Sequence, residues 1–388
     1  MANNVLPEEL MLCILSRLPV KTIIRFKSVC KSWYHLFSTP EFKKLHLNEP
    51  KKQFFIVHRH SKHRSEPKNQ FSIFNIESGK KSPTILEYPF AHAQNIYSYT
   101  LGCYNGLVCI CRGQEIVLWN PALKLSKTVP LKGYRHLKNV SLGFGYDAIG
   151  DDFKVVMIGT NIHGEGKNDT SVEIYSVNLD SWNTIDVGFQ FGILAKRDLI
   201  VNGNPYWVAR FDENEVLVCF DMLELVFKIV PLPPNYFNGY TGELVDWNGL
   251  DVYTNTVKET NSELVDWNGA LGALIIDYEV EYRNISPVNT ECSSRIECFR
   301  VWVFDDIEQI WRNVHTFGPI EMDKYRVLHY VKNEKILSFF LDKKLFVVDL
   351  ETGYDTELFD GAHLSDLFEF YGYTESLAHI NGMEKVVN

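Results

Sequence analysis

A short pattern written six times along the chain limits its fold more than any other feature. An apolar strand ends in an aromatic-polar turn at Phe71 to Ile76, Glu115 to Pro121, Val172 to Val177, Val216 to Met222, Arg300 to Asp306 and Leu345 to Leu350. Measured between Phe74, Trp119, Tyr175, Phe220, Phe304 and Val348, the spacings are 45, 56, 45, 84 and 44 residues. A period of about 40 to 50 residues, built of short strands, is that of small sheets stacked around an axis. Radial closure covers strand edges that an open sheet of this size would leave bare. From about Phe54 onward the chain is therefore expected to form an all-β propeller of about six blades.

The long interval has a visible cause. Glu243-Leu244-Val245-Asp246-Trp247-Asn248-Gly249 recurs as Glu263-Leu264-Val265-Asp266-Trp267-Asn268-Gly269. A duplicated insertion of about 20 residues at 243–262 lengthens one connection, and lengthening a surface connection costs little. The polar stretches Leu250 to Ser262 and Glu281 to Glu297 read as surface loops.

The first 48 residues follow a different period. Leu10, Ile14 and Leu18, with Met11 and Leu15 alongside, have the spacing of a buried helical stripe, opened by Pro7 and ended by Pro19. Short helices are expected over Thr22 to Phe26 and Cys30 to Phe37, and Ser38-Thr39-Pro40-Glu41 offers a capping box for one more. A unit this small cannot cover all its apolar side chains by folding on itself, so some of Leu6, Pro7, Leu18, Pro19, Val20, Val29 and Trp33 should stay exposed for a partner. Residues 49–68 read as a basic linker and first strand, and residues 69–388 as the propeller. The segment 1–48 is expected to suffice for docking.

Charge is divided between the two parts. Residues 1–68 hold 13 Lys/Arg against 5 Asp/Glu, and residues 69–388 hold 26 against 44, within a net charge of -10. The acids are densest from Asp212 to Glu308, which argues against nucleic acid and suits a basic protein partner. Candidate target-binding acids are Glu243, Asp246, Asp251 and Glu259. The N-terminus lacks a basic start followed by an apolar run, and no apolar run reaches about 18 residues, so a cytoplasmic place, or a nuclear one, is expected. The eight cysteines then read as reduced thiols.

Catalytic signatures are missing. Around Gly164, Gly166 and Lys167 the phosphate-loop spacing fails, because Asn161 stands where the first glycine belongs. His58, His60 and His63 lie in a basic run with no cysteine or acid at zinc spacing, so no metal and no cofactor are expected. Cys109 and Cys111 alternate on a strand and share a core face. Asp151-Asp152 and Asp305-Asp306 read as turn formers.

The residues also carry a resemblance. Leu6-Pro7-Glu8-Glu9-Leu10, Ile14 to Lys21 and Arg25 to Trp33 resemble the F-box, the motif that binds Skp1 within SCF ubiquitin ligases. Cys103-Tyr104-Asn105-Gly106-Leu107, Leu118-Trp119-Asn120-Pro121, Gly143 to Asp147, Val201-Asn202-Gly203, Cys219 to Met222 and Tyr373-Thr374-Glu375-Ser376-Leu377 resemble the plant F-box-associated domain with kelch-like repeats. Together they imply an α+β multidomain chain, a small N-terminal helical F-box followed by an all-β kelch-like propeller. They imply Leu6, Pro7, Leu18, Pro19, Val20, Val29, Lys31 and Trp33 as the Skp1-docking set, and cullin-1 and a RING subunit as partners held through Skp1. Within the family the chain is most similar to S-locus F-box and S-locus F-box-like proteins, which implies a basic S-ribonuclease as the target in pollen self-incompatibility. A generic plant adaptor acting in defence or hormone signalling is the alternative, and pollen-confined expression separates the two. A propeller enzyme is a third reading, which bound metal or cofactor in the purified protein would revive.

Overall fold

The computed structural model describes residues 7–49, 54–60, 69–75, 84–86, 89, 98–132, 137–161, 170–186, 191–236, 254–286, 289–317, 325–332, 335–340, 344–349, 355–360 and 367–386. Four helices come first, α1 (Glu8–Ser16), α2 (Val20–Phe26), α3 (Lys31–Leu36) and α4 (Pro40–Asn48). Prolines set three of the starts. Pro7 and Pro19 occupy the N-cap positions of α1 and α2, and Pro40 is the first residue of α4, where a missing N–H costs no intrahelical bond. Pro40 also holds Thr39 extended, as a residue before proline must be. Thr39 is therefore the cap, its hydroxyl accepting from Phe42 N at 3.2 Å. Ser38, the cap expected from the sequence, instead donates to the Tyr34 carbonyl.

The buried stripe of α1 also differs from expectation. Leu10 and Ile14 are more than half exposed, whereas Leu15 is buried with Met11, Leu12 and Leu18 packed around it. The helix has two adjacent apolar rows. Packing of α1 on α4 takes the row through Leu15 and leaves the other to solvent.

The body follows as four-stranded meanders. Blade 1 holds β1 (Phe54–His60), β2 (Asn69–Asn75) and β3 (Thr84–Ile85). Blade 2 is β4 (Ser98–Tyr104), β5 (Leu107–Arg112), β6 (Glu115–Asn120) and β7 (Leu125–Pro130). Blade 3 is β8 (Leu137–Asp147), β9 (Asp152–Asn161), β10 (Thr170–Ser176) and β11 (Ser181–Ile185). Blade 4 is β12 (Gly192–Val201), β13 (Asn204–Phe211), β14 (Asn214–Asp221) and β15 (Val226–Val230). Blade 5 is β16 (Thr254–Trp267), β17 (Ala270–Ser286), β18 (Asn289–Asp305) and β19 (Ile310–Phe317). Blade 6 is β20 (Tyr325–Lys332), β21 (Lys335–Phe340), β22 (Lys344–Asp349) and β23 (Asp355–Asp360). Finally β24 (Leu367–Tyr373) pairs with β1 and becomes the innermost strand of blade 1, and β25 (Glu384–Lys385) adds to the edge of β7.

Hydrogen bonding groups these strands into five sheets, the largest with eight strands. That sheet is blades 5 and 6 joined by a single parallel pair, Trp267 with Val331. The innermost strands meet in a closed ring, β24 to β4, β8, β12, β16, β20 and back to β24. Against the expected figure of about six blades, hydrogen bonding gives five sheets, one of them an eight-stranded sheet that spans blades 5 and 6. All six repeats of the sequence pattern fall in the third strand of their blade, β2, β6, β10, β14, β18 and β22.

The aromatic-polar turns share one construction. The polar residue caps the turn with its side chain: Asn120 accepts from Leu123 N, Ser176 from Leu179 N, Asp221 from Leu223 and Glu224 N, and Asp305 from Ile307 and Glu308 N. Four residues past each cap the backbone turns left-handed, at Lys124, Asp180, Leu225 and Gln309. The preceding aromatic then packs on its cross-strand partner, Tyr175 on Trp182, Phe220 on Phe227 and Phe304 on Trp311, the geometry that stabilises strand pairs.

Two stretches read as loops are strands. Residues 254–262 belong to β16 and pair with β17, and residues 281–286 and 289–297 continue β17 and β18. Their polarity misled, because a hairpin projecting past the blade keeps its ladder bonds without an apolar face to mark it. The second copy of the duplicated segment supplies the core strand, with Leu264 and Val265 buried. The first copy lies outside the described residues.

Candidate protein-docking site

The helical module has an inner and an outer face. Inside, Leu15, Val20, Ile23, Phe37 and Phe42 form a buried cluster. Outside, Leu10, Ile14, Ile24, Val29 and Tyr34 are exposed aliphatic or aromatic groups. Of the residues expected to dock a partner, Pro7, Pro19, Val29 and Lys31 are exposed, Leu18 and Trp33 are half-buried, and Leu6 lies outside the described residues. Val20 is buried at 1% exposure, because α2 begins there and its first side chain turns into the cluster rather than away from it. Leu10, Ile14, Ile24 and Tyr34 are exposed groups that the sequence reading left out. The available signal was the apolar neighbour beside a buried one, Ile14 before Leu15 and Ile24 after Ile23.

The module does not hang free. Leu377 of the body is buried in the helical cluster, and Ala122 and Leu123 pack against it. The seat is made where two distant sequence segments meet. Asn120, fully buried, donates from Nδ2 to the carbonyls of Ser376 (3.2 Å) and Ala378 (2.8 Å). Gly106 lets the turn between β4 and β5 approach this strap: its φ is +78°, and an added Cβ would lie 2.2 Å from Ser376 Oγ.

At the same end a cavity of about 730 Å³ opens on the ring axis. The Asn-Gly turns at Asn105, Asn202 and Asn268 line it from the body, and Lys44 and Leu47 of α4 line it from the helices. Asn202 Nδ2 donates to the Gly269 carbonyl at 2.6 Å, tying two of these turns together. Burial raises the Tyr104 hydroxyl above its ordinary pKa, and Asp266 adds to the effect.

Of the acids proposed to bind a target, Glu243, Asp246 and Asp251 lie outside the described residues, and Glu259 falls within β16 with its side chain undescribed. Among the described residues no group of three His, Cys, Asp or Glu is placed to hold a metal, and no helix is long and apolar enough to cross a membrane. His58 has a structural setting: buried, stacked on Phe71 and donating from Nδ1 to Glu369 Oε2 at 2.9 Å. His63 lies outside the described residues. Cys109 and Cys111 are buried in one core cluster, and burial pushes the thiols of Cys103 and Cys219 up to about 12, so both stay protonated and unreactive at neutral pH.

The helices thus sit on one face of a closed propeller, with apolar groups bared on their far side. Comparison with known families adds that an F-box domain matches residues 4–45 and the F-box associated beta propeller domain matches residues 71–249. Over these residues the chain is similar to plant F-box proteins that carry an F-box-associated propeller. It is similar to an F-box protein of Arabidopsis thaliana, 28% identical over 234 residues, covering 59% of this chain and 60% of that one. An F-box/kelch-repeat protein of the same plant is 29% identical over 246 residues, covering 59% of this chain and 65% of that one. In both cases the match spans less than two thirds of the relative's length.

Proposed function

We propose that the protein is the substrate-recognition adaptor of an SCF-type E3 ubiquitin ligase, its F-box binding Skp1 and its propeller binding a target for ubiquitination and proteasomal degradation. The observation that carries this reading is the bare outer face of the F-box, with Leu10, Ile14, Ile24, Val29 and Tyr34 exposed while the inner face is fixed to the body. Apolar and aromatic anchors of that kind dominate protein interfaces. The chain itself is non-catalytic on this reading, since holding a target near a charged enzyme carried elsewhere in the complex supplies proximity in trans. Cullin-1 and a RING subunit join through Skp1, in the cytoplasm or nucleus.

The test is co-purification with Skp1 of the full chain carrying Ile14→Ser and Val29→Ser. Both side chains are exposed, so the fold should be kept while capture is lost. Undiminished Skp1 capture by that variant sinks the reading. For the target, the similarity to the S-locus branch and the acidic body support a basic S-ribonuclease in pollen. Binding to several such ribonucleases, measured against neutral proteins of similar size, tests that step, and a generic defence or hormone-signalling target remains the alternative if it fails.

A further inference from the structure

We propose that the F-box side of blades 3 to 5 is a second docking surface that receives a basic protein, which is the target on the adaptor reading above, on which this inference rests. In an antiparallel meander the first-to-second and third-to-fourth turns emerge at the same end. At that end of the ring sits the F-box, with α4 over the axial cavity and the third-to-fourth turn of blade 2 sending Ala122 and Leu123 into the helical cluster. The equivalent turns of blades 3, 4 and 5 have the same side-chain cap and the same left-handed residue. Their tips are bare with the F-box in place. Leu179 is 69% exposed, Ile307 94%, and Ile149, in the first-to-second turn of blade 3, 80%; Leu223 and Leu225 are exposed beside them. Aliphatic groups at these successive hairpin tips, set among polar residues, add nothing to this chain's own core and are open to a partner.

Charge selects the occupant. Asp221 and Glu224 share one cation, Lys228, at 2.6 and 3.2 Å. Asp305 and Glu308 share Arg312, with Asp306 exposed between them. The turns of blades 4 and 5 each keep more carboxylates than cations, so the complementary partner presents Lys and Arg around an apolar centre. The surface is also preformed: Lys127 Nζ donates to Asp180, Lys154 Nζ to the Met222 carbonyl and Trp311 Nε1 to the Pro231 carbonyl, each bond crossing from one blade to the next. Little ordering remains to be lost on binding.

The experiment places a benzophenone photo-cross-linker at Leu179 or at Ile307 of the full chain, expressed with Skp1 in the native tissue under proteasome inhibition. A control carries it at Glu213, in the second-to-third turn of blade 4 at the opposite end. The expected result is one basic protein, identified by mass spectrometry, joined at both 179 and 307 and absent at 213. Its yield should fall about tenfold with Glu224→Lys, Asp306→Lys and Glu308→Lys combined, while Skp1 capture is unchanged. Cross-links only to Skp1, to a second copy of the chain or to acidic proteins, equal yields at 213, or no cross-link at all would overturn the proposal. A cross-linked basic protein without any captured Skp1 would overturn the adaptor reading alone and leave the surface supported.

Discussion

Asn120 uses its whole amide: Nδ2 donates to two carbonyls of the C-terminal strap, and Oδ1 accepts from Leu123 N at 3.2 Å. Asn120→Ala removes all three bonds and leaves buried carbonyls bare, so unfolding in urea should show a loss of about 2 to 4 kcal/mol; a loss under about 0.5 kcal/mol would show that water replaces the amide. Asp147 makes a second residue-scale case. Burial raises its pKa, but hydrogen bonds from Gly150 N and the Lys154 ammonium more than offset that and hold the carboxyl below its ordinary value. A depressed carboxylate contributes stability that is present above the unfolded pKa of about 3.9 and lost as pH falls through the folded value. Urea midpoints should therefore drop below about pH 4, and Asp147→Asn should flatten that limb while lowering stability at pH 7, where buried Lys154 has lost its counter-ion.

The third strands were legible in the sequence because most end in an aromatic followed by Asn, Ser or Asp, and where the turn is seen in full that polar side chain caps it and the aromatic often finds a cross-strand partner. Three of the four helix starts were legible from their prolines. The F-box seat was not, because Asn120 and Leu377 meet only after the ring closes, and neither carries a local sign of the other. The long hairpin of blade 5 was hidden by its polar composition, and the acids picked as target ligands rested on net charge alone. That hairpin carries the element-scale prediction. Residues 254–262 of β16 are paired with β17 from Ile275 to Arg283, so deleting 243–262 keeps the buried Leu264 and Val265 but strips the partner from nine residues of β17. An unpaired edge of that length is a template for association. Light scattering should show concentration-dependent aggregation of the deleted chain with near-native circular dichroism, and a monodisperse deletion would show that β17 does without its outer partner.

At the scale of the whole molecule, one terminal segment does two jobs. β24 closes the ring against β1, with His58 and Glu369 bonded across the joint and Glu369 also accepting from Thr100 N of blade 2 at 2.8 Å. The strap that follows then carries Leu377 into the F-box core. The F-box is therefore completed by the end of the chain, and its orientation on the propeller follows from that contact. Leu377→Asp places a carboxylate in the cluster formed by Leu15, Val20, Ile23, Phe37 and Phe42, where an unpaired charge costs far more than the contact it replaces, so the helices should detach from the body. The bare outer face does not depend on the strap, and Skp1 should still be captured by the detached helices, though more weakly because their core has lost a member. On the proposed adaptor function, target ubiquitination should fall further than Skp1 binding does, since a target held on a swinging body would no longer meet the charged enzyme at one distance. Hydrogen exchange over α1 to α4 together with ubiquitination rates decides it. Faster exchange with a larger loss of ubiquitination than of Skp1 capture is the expected pattern, and equal losses would mean that the strap stabilises the F-box without setting its orientation.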